Sequence, residues 1–312
     1  MTNVSLESLR AYSVARSIWQ ERDLSSAVER FGFVQADPIR APARAQDLIL
    51  RPRVPGYRAG DLERQYAQLG IEEDFFVNYG FVPRAAQALL HPRRLERALK
   101  IETEAPGLSE RVLEFVHVNG ATHPKQLEQH FGKLRSGNYW GGTSQATTRV
   151  LDALHYRGAL RVAKRERGIK VYEPAPHLSP FLHEPRSDLE MARGLTQLIV
   201  NLYAPLPLQS LGYLTSLMGY GSPHLRGIVK PELKRMVKED FNTVKIEGAT
   251  FVYPRSEVIE GDADERVRLL APFDPVVWDR RRFELLHGWA YRFEAYTPAA
   301  KRTMGYYALP ML

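Results

Sequence analysis

The sequence contains no cysteine, which excludes disulfides, zinc sites with cysteine ligands, iron–sulfur clusters and thiol nucleophiles. Charged residues interrupt every apolar stretch before it reaches the roughly 18 residues that a membrane helix requires. The first ten residues, MTNVSLESLR, also lack the basic and apolar regions of a secretory signal. These absences predict a cytoplasmic protein that does not contact membranes.

Several catalytic motifs are missing as well. The nine histidines form no HExxH motif and no close pair on a helical face, so we expect no metal site and no cofactor. The glycine-containing segments GYGSPH and NYWGG lack the Lys-Ser/Thr of a phosphate-binding loop, and no G-x-S-x-G nucleophile elbow occurs. Hydride, phosphoryl and acyl transfer are therefore disfavoured.

The positive charge of the chain is concentrated in one segment. The net charge is +7, from 43 Lys and Arg against 36 Asp and Glu. Residues 131–170 carry nine basic and two acidic side chains, whereas the rest of the chain is balanced. Such a local excess predicts a polyanionic partner such as nucleic acid, with a solvated charged face as the alternative.

The order of elements predicts an α+β fold that is mostly helical. Residues 1–105 are interpreted as helices around one short extended piece, and residues 106–180 as three helices followed by a β-hairpin, ALRVA and IKVYE. Residues 181–260 repeat that order less clearly, and 261–312 form an aromatic tail with strand-like pieces. Three helices and a hairpin are typical of a winged helix, so we predict tandem winged helices.

The second of these units carries the candidate nucleic-acid contacts. Polar side chains on the outward face of its third helix suit phosphates and base edges, and cations at the hairpin turn suit phosphates. Two aromatic residues in the preceding loop suit stacking on a base, although loop aromatics often simply pack. The candidates are Ser144, Gln145, Thr148 and Arg149 on the helix, Lys164, Arg165 and Arg167 on the hairpin, and Tyr139 and Trp140 in the loop.

One pair of polar residues suits hydrolysis. In FVQADP, Gln35 and Asp37 alternate with apolar residues, so an extended backbone directs both side chains to the same side. An amide and a carboxylate can hold a water molecule and stabilise a sugar cation beside it. A cationic alkylated purine leaves such a sugar as a neutral base and needs no general acid. The structural alternative is that Asp37 caps the following helix.

Three segments then resemble a known family: residues 33–54, the hairpin segment ALRVAKRERGIKVYE, and residues 269–310. They are similar to the AlkZ/YcaQ (AlkX) family of bacterial winged-helix DNA glycosylases, the crosslink-repair type. Its catalytic motif is glutamine, an apolar residue, then glutamine or aspartate, which Gln35-Ala36-Asp37 matches. The resemblance implies tandem winged helices and a C-terminal β-barrel around a channel for duplex DNA.

The resemblance also implies an activity and a set of roles. Family members excise N-alkylated purines and unhook interstrand crosslinks in double-stranded DNA. Asp37 would act on the water and the sugar cation, and Gln35 would orient the water. No lysine nucleophile is assigned, which predicts a monofunctional mechanism in a monomer associated with the nucleoid when bound to DNA. Candidates for phosphate contacts near the motif are Arg40, Arg44, Arg51 and Arg53.

Two features depart from the family pattern. The chain ends with GYYALPML, where family members usually continue, so residues 261–312 are expected to hold only the start of the barrel. Gln46 and Asp47 stand where family members often carry histidines. Two other functions stay open at this point: a non-catalytic winged-helix transcriptional regulator, which predicts sequence-selective binding, and a protein-interaction module, which predicts weak and salt-insensitive affinity for DNA.

Overall fold

The computed structural model of the protein describes residues 4–137, 143–261 and 266–312. Local capping signals set the first helices: the Asp23 side chain accepts from the backbone N–H of Ser26, and Gly32 ends the helix with φ 68°. The elements of this part are α1 (Leu6–Ser17), α2 (Leu24–Phe31), β1 (Val34–Gln35), α3 (Ala45–Leu50), α4 (Asp61–Gln65), β2 (Ile71–Phe75), β3 (Tyr79–Pro83), α5 (Arg84–Gln87) and α6 (Lys100–Glu104).

The expectation of a single extended piece in residues 1–105 is wrong. The strands form an antiparallel sheet in the order β1-β3-β2. Gly80 on β3 lies opposite Gln35, and a Cβ at that position would clash with the carbonyl oxygen of Val34. Glycine at this position therefore lets β3 approach the strand that carries the glutamine.

The second part has the predicted order of helices and hairpin, with one difference. Ser144 and Gln145 belong to a short strand before the third helix and do not lie on its outward face, because Ser144 pairs with Ser136 across a two-stranded ladder. The elements are α7 (Leu108–Asn119), α8 (Pro124–Phe131), β4 (Arg135–Gly137), β5 (Thr143–Gln145), α9 (Ala146–Tyr156), β6 (Leu160–Glu166), β7 (Ile169–Pro174) and α10 (Ser179–His183).

The third part repeats three helices and a hairpin. Its sheet has the order β8-β10-β9, so the hairpin pairs with a short strand between the first two helices. The designation of both repeats as winged helices stays a prediction. The elements are α11 (Asp188–Tyr203), β8 (Leu206–Pro207), α12 (Leu208–Gly221), α13 (Arg226–Glu239), β9 (Phe241–Ile246) and β10 (Ala249–Pro254).

The C-terminal segment differs from the expected start of a β-barrel. It contains α14 (Pro275–Trp278), α15 (Arg280–His287) and one isolated bridge between Leu269 and Met311. The side chains of Asp274 and Asp279 cap the two helices, which explains why this stretch is helical despite its strand-like composition. Within the described residues, no sheet closes into a barrel.

The hydrophobic cores cross the predicted domain boundaries. One cluster joins residues from Leu24 to Leu90 with residues from Met191 to Val252, whereas the second part has a core of its own. Val14 of α1 and Ile18, directly after that helix, pack against Phe283 and other residues of the C-terminal segment. The division into 1–105, 106–180, 181–260 and 261–312 stays a prediction. Among the helices that the structure describes, none has the length and hydropathy needed to span a membrane.

Candidate active site

Asp37 lies just beyond the end of β1 with its carboxylate half-buried. Its Oδ1 accepts a hydrogen bond of 2.8 Å from the backbone N–H of Ile39. Burial raises the pKa of the Asp37 carboxyl, and the hydrogen bond from Ile39 opposes that rise. Asp37 forms no ion pair within the described part of the chain. The carboxylate is therefore partly desolvated, yet it is not neutralised by a cation.

Gln35 is buried, at 4% exposure, and its side chain contacts the C-terminal segment. The indole Nε1–H of Trp278 donates to Gln35 Oε1 at 2.6 Å. Nothing in the sequence predicts this contact, because the two residues are 243 positions apart.

A second residue of the C-terminal segment lies close to the pair. Burial raises the pKa of Tyr307, and the negative charge of Asp37 raises it further, so the phenol is within electrostatic reach of the carboxylate. Its hydroxyl oxygen is buried and has no hydrogen-bond partner among the described residues. The ring centroid lies 5.4 Å from that of Phe293. Residues 268–312 thus supply side chains on the glutamine and beside the aspartate.

Asp37 opens into a cleft of about 1010 Å³, here called the Asp37 cleft. One wall comes from the first part of the chain and the other from α9 and the β6–β7 hairpin. The structure thereby brings Asp37 together with four of the predicted DNA-binding arginines. The lining residues are Ala36, Asp37, Pro38, Arg40, Arg44, Gln46, Glu63, Phe75, Tyr79, Phe81, Asp152, His155, Tyr156, Arg165, Arg167, Gly168, Ile169 and Lys170.

The arginines of the Asp37 cleft raise the local positive potential. Arg44 forms an ion pair with Glu63, but burial and the charges of Arg40 and Arg165 lower its pKa. The neighbouring positive charges of Arg40, Arg44 and Arg165 favour the binding of an anion between them. Arg167 is exposed at the hairpin turn, with φ 51°, and forms no ion pair with any described residue. These features are suited to a phosphate backbone.

Much of the basic excess in residues 131–170 is neutralised by carboxylates elsewhere in the chain. Arg165 Nε donates to Glu73 Oε1 at 2.8 Å, and Arg149 donates to Glu104 at 2.7 Å. The segment therefore presents less free charge than its composition predicts. The other ion pairs of this segment join Arg157 to Glu102, Arg161 to Glu72 and Glu173, Lys164 to Glu166, and Lys170 to Asp152.

Two of three consecutive carboxylates on β2 pair with arginines of the hairpin and place it against the first sheet. Glu72, Glu73 and Asp74 are all buried, at 0 to 2% exposure. Glu72 accepts from Arg161 on β6 at 2.8 Å. Burial raises the pKa of Glu73, but the hydrogen bond and charge of Arg165 outweigh burial and lower it below its ordinary value. The acidic run IEEDF is the sequence feature that could have indicated buried ion pairs here. The run itself does not identify the arginines that pair with it.

Other predicted site residues lie elsewhere. The prediction that Arg53 contacts DNA is wrong, because its guanidinium is fully buried and paired with Asp274. Arg51 and Lys164 are exposed but do not line the Asp37 cleft, and Thr148 is partly buried. Tyr139 and Trp140 lie outside the described residues.

Gln46 and Asp47 are adjacent in the sequence but have different surroundings. Gln46 lines the Asp37 cleft, and its Oε1 accepts from the backbone N–H of Asp37 at 3.4 Å. Asp47 instead accepts from the Tyr57 hydroxyl at 2.8 Å and from the N–H of Gly60 at 2.7 Å. Gln46 is therefore placed to contact a ligand in the cleft, whereas Asp47 holds a loop.

Comparison with known proteins identifies a family and a similar solved structure. The model of one protein family, described as DNA glycosylase AlkZ-like, matches residues 28–312. Among solved structures, the chain is similar to the DNA glycosylase AlkZ of Streptomyces sahachiroi, with a TM-score of 0.60 and 17% sequence identity. The match covers 88% of this chain and 77% of that chain, and at this identity it shows a shared fold.

The family match covers most of the chain and includes both walls of the Asp37 cleft. It describes enzymes that act on DNA, which contradicts the interpretations as a non-catalytic regulator or as a protein-interaction module. The chain belongs to the AlkZ-like family of DNA glycosylases.

Proposed function

We propose that this DNA glycosylase hydrolyses the N-glycosidic bond of N-alkylated purines in duplex DNA, with Asp37 and Gln35 as its catalytic residues. The observation that carries the proposal is the partly desolvated, unpaired carboxylate of Asp37 in the wall of a cleft shared with Arg40, Arg44, Arg165 and Arg167. A carboxylate held in this way can stabilise a developing sugar cation without being neutralised by a protein cation.

The chemistry needs no general acid. The bond between C1′ and the purine nitrogen breaks, and its electron pair moves to the cationic base, which leaves neutral. Water then attacks C1′ and gives its proton to Asp37, so that the products are the free base and an abasic sugar. We assign no lysine as a nucleophile and therefore expect the strand to remain intact.

We also propose that the enzyme acts on interstrand crosslinks, because the Asp37 cleft is open. A crosslinked purine is tethered to the opposite strand and cannot rotate fully into a closed pocket. A cleft of about 1010 Å³ whose walls carry arginines can instead receive the lesion while it is still within the duplex. We also propose that the protein acts on DNA as a monomer associated with the nucleoid.

The direct test is incubation with duplexes that contain a single N7-alkylguanine or a mustard-type crosslink. Alkali should then reveal abasic sites at the modified position, and the untreated strand should remain uncut. Absence of product above the spontaneous rate, at a protein concentration that saturates the duplex, would refute the proposed reaction. Strand cleavage before alkali would refute only the monofunctional mechanism.

Arg167 is the hairpin cation with the most freedom to bind a phosphate. Arg167→Gln should weaken binding to undamaged duplex and reduce the slope of log affinity against log salt by about one, because one phosphate contact is lost. The matched control is Lys164→Gln, since Lys164 is exposed on the same hairpin but is paired with Glu166 at 2.9 Å. Fluorescence anisotropy at several salt concentrations provides the measurement, and an unchanged slope for Arg167→Gln would remove this contact from the proposal.

The rate should depend on pH through Asp37. Only the ionised carboxylate can accept the proton of the attacking water, and burial raises its pKa above the ordinary 3.8. The single-turnover rate should therefore decrease on acidification, with a midpoint above that value. An N7-methylguanine substrate is suitable because its positive charge does not depend on pH. A rate that stays constant down to pH 3.8, after subtraction of spontaneous depurination, would contradict the role of Asp37 as the base.

A further inference from the structure

We propose that Trp278 is a positioning residue that fixes the side-chain amide of Gln35 in one orientation, with its NH₂ group directed toward the reacting water. This inference rests on the proposed function, because it assigns Gln35 a defined task in the same site. The observation is the 2.6 Å hydrogen bond from Trp278 Nε1 to Gln35 Oε1.

The orientation follows from the hydrogen-bonding capacity of the two groups. An indole N–H is a donor only, whereas a glutamine amide has an oxygen that accepts and a nitrogen that donates. Rotation of the amide by 180° would place its NH₂ group against the indole N–H, where neither group can accept. Because Gln35 is 4% exposed, water cannot readily compensate for that loss. Trp278 therefore selects one of the two amide orientations.

The rest of the structure holds Trp278 in place. It ends α14, and the Oδ1 of Asp274 at the start of that helix accepts from the N–H of Val276 at 3.0 Å. Asp274 is in turn anchored by Arg53 in a fully buried ion pair. The indole ring also packs against Tyr203, with centroids 5.7 Å apart. The hydrogen bond to Gln35 thus comes from a rigid element and not from a loose loop.

The fixed orientation gives the two catalytic residues different tasks. The NH₂ group of Gln35 donates to one lone pair of the water, and the carboxylate of Asp37 accepts one of its protons. The second lone pair remains free to form the bond to C1′. A glutamine that can rotate would also present its oxygen to the water and would then compete with Asp37 for the same proton.

The test removes the indole donor and keeps an aromatic side chain. Trp278→Phe should lower the single-turnover excision rate by about 10- to 100-fold while duplex affinity stays within twofold, because orientation and not binding is lost. Trp289→Phe is the matched control, since Trp289 is 42% exposed in the same segment, and it should retain the wild-type rate. Thermal unfolding of each variant separates a misoriented glutamine from a disrupted fold.

A double-mutant cycle distinguishes positioning from general support. In a Gln35→Ala background, Trp278→Phe should cause no further loss of rate, since the group that it orients is absent. A full rate in Trp278→Phe, or the same fractional loss in both backgrounds, would overturn the inference.

A second readout does not depend on activity. The ¹⁵N–¹H signal of the Trp278 indole should shift, and its hydrogen exchange should accelerate, in Gln35→Leu. An unchanged signal would also overturn the inference. An inactive wild-type protein that still shows the indole shift would refute the proposed reaction but leave the contact intact.

Discussion

Asp37→Asn should lower the rate of excision of N7-alkylguanine by about 10²- to 10⁴-fold, the range for loss of a positioned proton acceptor. The variant loses the negative charge that stabilises the sugar cation and the group that takes the proton from water. Duplex affinity should remain within a few-fold, because Asp37 is not a cation and contributes no phosphate contact. Single-turnover kinetics and anisotropy on the same duplex provide the two measurements.

The substitution also tests the structural alternative for this residue. Asparagine retains an Oδ1 that can accept from the N–H of Ile39, so the local turn should persist. A carboxyl whose pKa is raised by folding destabilises the folded state once it is ionised, so Asp37→Asn should leave the melting temperature unchanged or raise it. Asp37 does not cap the following helix, because α3 begins at Ala45 with Arg44 at its N-cap. A parallel loss of affinity, stability and rate would instead identify Asp37 as a structural residue of this turn without catalytic function.

Arg53→Ala should lower the free energy of unfolding by about 3–5 kcal/mol, since it leaves the charge of Asp274 buried without a partner. Arg53 donates to both Asp274 oxygens, at 2.7 and 3.0 Å, and both residues are fully buried. It also donates to the carbonyl oxygens of Ser17 at 2.8 Å and Ile49 at 2.6 Å. The substitution therefore removes the connections between three separate parts of the chain.

Urea denaturation with a shared m-value measures this loss. Arg51→Ala is the matched control: this arginine is two residues away and exposed, and its replacement should change stability by no more than about 0.5 kcal/mol. If the two variants unfold at the same urea concentration, the buried ion pair does not contribute to stability as argued.

Features set by neighbouring residues were predictable from the sequence. The Asp23 cap, the helix end at Gly32 and the hairpin after Gly158 are all present, because each depends on local backbone preferences. The Asp-Pro step at Asp274 and Pro275 is also a local signal for a helix start, and α14 begins there although the surrounding composition is strand-like.

Contacts between distant parts of the chain were not predictable. In the sequence, Glu73 cannot be distinguished from a surface glutamate. Only the folded chain shows that Arg165 neutralises it. In the same way, the composition of residues 131–170 overstates their free positive charge. Of the candidate site, the sequence identified Gln35 and Asp37, whereas the partner of Gln35 comes from a segment 243 residues later.

The contact between Gln35 and Trp278 has a consequence for the order in which the protein is made. A ribosome that adds about 5–20 residues per second needs roughly 12 to 50 s to pass from the first of these residues to the second. During that time the nascent chain already contains Asp37 and the arginines of the first wall, but Gln35 has no fixed orientation. The orientation of Gln35 can therefore be fixed only after the C-terminal segment has been synthesised.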